Sequence, residues 1–167
     1  VPSRTCSYLE PDTLVRLAHH PLVIGVKQAV DFMNQGRHRD ETREVIERTR
    51  HLDFAVITGE DDGLLPILEL GGAGIITATG NIPEAARLYL RLYKSFRAGN
   101  VAEATALREA LLPFVKWVFA RKNPIPLGAL FNSPLFQPLC DMARTSGGEK
   151  DVADMLAWAK VAAPSLT

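Results

Sequence analysis

Leu22-Val23-Ile24-Gly25-Val26-Lys27 decides the fold. The run is short, apolar and rich in β-branched side chains, which suit a pleated, enclosed surface, and it reads as a buried β-strand. Pro21 stops the helix before it, which starts at Pro11-Asp12-Thr13 and runs to His19-His20. Two runs of the same kind follow, Phe54-Ala55-Val56-Ile57-Thr58-Gly59 and Gly74-Ile75-Ile76-Thr77-Ala78-Thr79. The charged stretch 40–50 has only Val45 and Ile46 as apolar contacts and reads as an exposed helix. Residues 64–70 read as a short helix closed by Gly71-Gly72. Pro83, a good first-turn residue, opens a helix to Ala98. Strand alternating with helix means an α/β fold on a parallel sheet, with strands apolar on both faces.

After Gly99-Asn100 the rhythm changes. Leu107, Leu111, Leu112, Val115 and Phe119 recur at helical spacing and predict a long helix over 101–120. Pro113 falls inside it and is expected to kink it or reset its start. Asn123-Pro124-Ile125-Pro126 is a rigid turn, and a last amphipathic helix is expected over 150–162. Three strong strands do not make a (β/α)8 barrel, which takes eight strands and roughly 250 residues.

The composition is that of a globular domain, 47% hydrophobic and 23% charged in 167 residues. Lys+Arg and Asp+Glu are equal at 19 each, so charge gives no reason to expect nucleic acid or an anionic membrane as partner. No apolar run reaches transmembrane length. The opening Val1-Pro2-Ser3-Arg4 has neither start methionine nor apolar leader, which suggests a trimmed or partial chain. Cys6 and Cys140 match no metal spacing and read as free thiols in a reducing cytoplasm. Gly71-Gly72-Ala73-Gly74 lacks the Lys-Ser/Thr of a phosphate loop, and there is no His/Cys metal cluster or nucleophile elbow.

Three features are candidates for chemistry. Lys27 ends an apolar strand. An ammonium there either snorkels to solvent, which is the commoner case on periodicity alone, or is desolvated into a neutral amine that attacks a carbonyl. Gly59-Glu60-Asp61-Asp62 follows the second strand, at the sheet end where α/β sites lie. Its carboxylates either bind a cation, amine or hydroxyl, or favour a helix N-terminus. Arg4 either clamps a carboxylate or is solvated. His19 and His20 suit a helix C-terminus and read as structural.

In order and spacing these pieces resemble the dihydrodipicolinate synthase / N-acetylneuraminate lyase family, in its C-terminal half. Val1-Pro2-Ser3-Arg4-Thr5 resembles the segment after the fifth barrel strand. Gly25-Val26-Lys27-Gln28-Ala29 resembles the Schiff-base lysine motif on the sixth, and Thr58-Gly59-Glu60-Asp61 the end of the seventh. Residues 74–81 resemble the eighth strand and its exit, and Asn123-Pro124-Ile125-Pro126 a turn in the C-terminal helices. Gln28 and Cys6 depart from the synthases' usual glutamate and glycine.

The resemblance implies a partial (β/α)8 barrel over 1–98 and a C-terminal helical extension over 99–167. It implies a lyase in which Lys27 forms an imine with pyruvate, without metal or dissociable cofactor, and the derived enamine adds to aspartate semialdehyde. Arg4 would bind the carboxylate of that aldehyde substrate, Gly59 and Glu60 would line the pocket, and the backbone at Ile76 would lie against pyruvate. The proton-relay tyrosines would belong to an N-terminal half, and Tyr8 is no substitute on sequence grounds. Their loss would impair catalysis by about 10²–10⁴-fold. A cytoplasmic location and a homo-oligomer, or association with the N-terminal half, are expected. The alternatives are a non-catalytic remnant serving as an oligomerisation or binding module, and a related aldolase for sialic or keto-sugar acids.

Overall fold

The structure is a computed structural model that describes residues 2–31, 36–120 and 127. The chain divides into two compact units, Val1–Thr77 and Ala78–Thr167.

In the first unit the order is α1 (Pro2–Thr5), α2 (Pro11–Ala18), β1 (Gly25–Gln28), α3 (Arg37–Thr49), β2 (Ala55–Thr58), α4 (Leu64–Glu69) and β3 (Gly74–Ile75). The strands form one parallel sheet in the order β1-β2-β3. Lys27 lies opposite Ile57, and Ile57 opposite Gly74. Because successive side chains alternate, Gly25, Lys27, Ala29, Ala55, Ile57, Gly59, Gly74 and Ile76 share one face. Gln28, Val56 and Thr58, on the other face, are buried. Leu14, Val45, Ile46, Leu64, Ile67 and Leu68 are buried as well, and α4 packs on β2 and β3.

The strands are shorter than their apolar runs, and among the described residues the face carrying Lys27, Ala55 and Ile76 is the more exposed one. Leu22 and Ile24, read as buried, are 85% and 75% exposed. β1 is an edge strand, and its ladder reaches β2 only from Gly25 onward. β3 is two residues long, and a 3₁₀ turn follows at Thr79–Asn81. Apolar composition marks a surface meant for an enclosed setting, but it does not say which elements enclose it.

The segment after α1 carries one strained residue. Cys6 has φ 52°, a left-handed conformation that costs a side-chain-bearing residue about 1 kcal/mol. Its N–H donates to Pro2 O at 2.9 Å, closing the α1 turn. Cys6→Gly is therefore expected to raise stability by about 0.5–1 kcal/mol, read as a higher urea midpoint at unchanged slope.

The second unit begins with the 3₁₀ turn and continues as α5 (Pro83–Arg97) and α6 (Val101–Val118), packed on each other. Gly99 at φ 81° ends α5, with Asn100 N–H donating to Ser95 O and Gly99 N–H to Phe96 O, a Schellman closure. Asn100 then caps α6 by accepting from Glu103 N–H at 3.2 Å. Hydrogen bonds from Arg91 and then Ser95 hold the Glu103 carboxyl below its ordinary range. Pro113 does not reset α6, which runs through it unbroken at the cost of one backbone hydrogen bond. The turn at 123–126 and the helix expected over 150–162 lie outside the described residues.

Candidate active site

Lys27 is the third of four residues in β1 and is exposed. The sequence placed it within a buried strand. The structure corrects that, because its sheet face is open among the described residues and β1 is an edge. Its side chain leans onto β2, where a Cβ built on Gly59 would collide with Lys27 Cε.

Glu60 follows Gly59 in the turn between β2 and α4 and is half-buried. Its N–H donates to Thr58 Oγ1 at 3.0 Å. Burial first, then the charges of Asp62, Asp61 and Asp31, push its carboxyl above the ordinary value, while Lys27 pulls the other way. Proton binding is thus stronger in the folded chain. Stability then falls as pH rises from about the unfolded pKa through the folded one, and the loss persists at higher pH. Glu60→Gln is expected to give a higher urea midpoint than the unaltered chain at about pH 8, with the difference closing at about pH 4.

Ile76 stands just beyond β3, 53% exposed, and its N–H donates to Thr58 O at 3.0 Å. Lys27, Gly59 and Ile76 therefore share one face toward the carboxyl end of the sheet, and Glu60 follows Gly59 there. Arg4 lies in α1, and its side chain is outside the described part. Asp61 is buried, and the acidic run forms the turn into α4. Among the described residues no three His, Cys, Asp or Glu side chains are grouped to hold a metal ion.

Sequence reasoning missed the surroundings of Tyr8. Its hydroxyl donates to Glu41, which also accepts from Arg37 Nε and lies 3.3 Å from His38 Nδ1. Arg37 lies over the Tyr8 ring and bridges to Glu10 at 3.0 Å. Burial, then Glu41 and Glu10, push the Tyr8 phenol far above its ordinary pKa. Burial alone would raise Glu41, but hydrogen bonds from Tyr8, Arg37 and His38 hold it below the usual carboxylate range. Tyr8 borders two cavities. One, of 230 Å³, runs along Val26, Lys27 and Gln28; the other, of 600 Å³, reaches Asp31, His38 and Glu60. Arg37, His38 and Glu41 share a helix face by spacing, but Tyr8 is 33 positions from Glu41, and nothing local marks that pairing.

The Dihydrodipicolinate synthetase family matches this chain over residues 1–133. The chain belongs to that family. A 4-hydroxy-tetrahydrodipicolinate synthase of Methanoculleus marisnigri is 39% identical over 127 residues, 76% of this chain and 41% of the relative. One from Listeria welshimeri is 31% identical over 153 residues, 88% of this chain and 49% of the relative. Dihydrodipicolinate synthase of Thermotoga maritima superimposes with a TM-score of 0.72 at 28% identity, over 100% of this chain and 55% of that one. The chain thus spans about half the length of the curated relatives it matches. Its three parallel strands and their helices are part of a (β/α)8 barrel. Among the described residues no helix is long and apolar enough to cross a membrane.

Proposed function

We propose that the chain is the C-terminal, imine-forming half of a pyruvate-dependent Schiff-base lyase, with Lys27 as the amine. The carrying observation is that Lys27 shares the sheet face and carboxyl end with Gly59 and Ile76, and that Glu60 follows Gly59 there. The family supports the same reading: the dihydrodipicolinate synthase of Acinetobacter baumannii, 25% identical with a TM-score of 0.71, was crystallised in complex with pyruvate.

The Lys27 amine adds through its nitrogen lone pair to the ketone of pyruvate, and water leaves as the imine forms. The protonated imine nitrogen takes up the electron pair released when the methyl group loses a proton, which gives an enamine. Its carbon attacks the aldehyde of aspartate semialdehyde and forms the new C–C bond, while the aldehyde oxygen takes up a proton and the nitrogen becomes an iminium again, whose hydrolysis frees Lys27. Arg4 binds the carboxylate of this second substrate, Gly59 and Glu60 line the pocket, and the Ile76 backbone flanks pyruvate. The imine needs neither metal nor dissociable cofactor. Barrel residues span 1–98 and the helical extension 99–167. The open face of Lys27 suits association with an N-terminal half or a second copy, in the cytoplasm.

Borohydride reduction in the presence of pyruvate tests the reading. A mass gain mapped to Lys27 is the expected result. The exposure of Lys27 favours a second reading, a non-catalytic binding module, and absence of any adduct would select it. With the adduct in hand, a panel of aldehyde acceptors and Arg4→Ala separates aspartate semialdehyde from sugar aldehydes. Arg4→Ala is expected to weaken only the former.

A further inference from the structure

Lys27 pairs in register with Ile57, yet its side chain crosses β2 at Gly59, two positions nearer the carboxyl end. A Cβ built on Gly59 would collide with Lys27 Cε and would stand 3.3 Å from Lys27 Cγ and 2.8 Å from Ala29 Cβ. Ala29 is buried, and its Cβ is fixed to its backbone, so it cannot swing aside. The lysine stem can. Gly59 N–H donates to Gln28 O at 2.8 Å, which fixes Gly59 against β1 one residue beyond the regular ladder.

Conformational freedom does not explain this glycine. Gly36, Gly71 and Gly99 have positive φ, and Gly59 is not among them. Its φ is not in the left-handed range that favours glycine, so the space is what matters. Gly74 provides the contrast: it lies on the same sheet face, and a Cβ there would meet nothing within 4 Å.

We propose that Gly59 is a positioning residue for Lys27. The missing side chain leaves the groove in which the lysine stem lies, and the groove aims the amine toward the carboxyl end of the sheet. For its bearing on the reaction this rests on the Schiff-base role of Lys27. The groove itself does not depend on that role.

Competitive acetylation of the full chain with acetic anhydride, read by mass spectrometry, tests the groove without pyruvate. The measured quantity is the Lys27 rate relative to that of exposed Lys116. Gly59→Ala is expected to change this ratio at least threefold, while Gly74→Ala leaves it unchanged. A ratio unmoved by Gly59→Ala, or moved as far by Gly74→Ala, overturns the proposal. General loosening of the chain would move both variants together. Borohydride trapping with pyruvate is run alongside. If the unaltered chain takes no adduct, the Schiff-base reading fails while the acetylation ratio still decides the groove. If it does, Gly59→Ala is expected to slow adduct formation at least tenfold.

Discussion

Lys27→Arg is expected to abolish the pyruvate adduct trapped by borohydride and to leave the fold intact. Arginine keeps a positive charge and a long apolar stem, so the groove over Gly59 stays filled. Its guanidinium does not release a proton under these conditions, and no neutral amine is available to add to a ketone. Lys27 is exposed, and surface substitutions of this kind shift stability by only about 0.5 kcal/mol in either direction. Loss of the adduct with an unchanged circular dichroism spectrum and urea midpoint would place the chemistry on Lys27. Adduct at undiminished yield in the Lys27→Arg chain would assign trapping to another amine. Lys27→Ala separates charge from reactivity: it too forms no adduct, but it empties the groove.

Ile67→Ala is expected to cost about 2–5 kcal/mol, the largest stability effect predicted for this chain. Ile67 in α4 is 0% exposed. Its backbone carbonyl accepts from Gly72 N–H at 2.8 Å, and a Cβ built on Gly72 would stand 2.6 Å from Ile67 Cγ1. The helix thus presses on the segment that carries the chain into β3. Truncation to alanine leaves a cavity that Gly72, without a side chain, cannot fill. Domains have net stabilities of about 5–15 kcal/mol, so the loss takes a large part of the total. Urea unfolding followed by circular dichroism measures it. A shift below about 1 kcal/mol would mean that α4 collapses onto the gap.

The same segment shows what was legible in advance. Residues 54–59 and 64–70 were readable as strand and helix because their apolar composition is local and Gly71-Gly72 punctuates the end. Lys27 stood out because a charge in an apolar strand is costly. Glu60 stood out because carboxylates after a parallel strand lie where sites form. Tyr8 could not be found this way: its partner Glu41 is distant in sequence, and each residue alone is ordinary.

Motifs in order, at 25–29, 58–61 and 74–81, pointed to the family by resemblance; local composition determined the α/β alternation, the parallel sheet and the two helices after residue 83. These follow from side-chain pattern and from Gly and Pro punctuation, which act over a few residues. Among the described residues, tertiary structure alone decided that Lys27 is exposed, that its stem crosses Gly59 rather than Ile57, and that Tyr8 borders both cavities. Those facts depend on register between strands and on which surfaces meet, and neither is written in any single stretch of the chain.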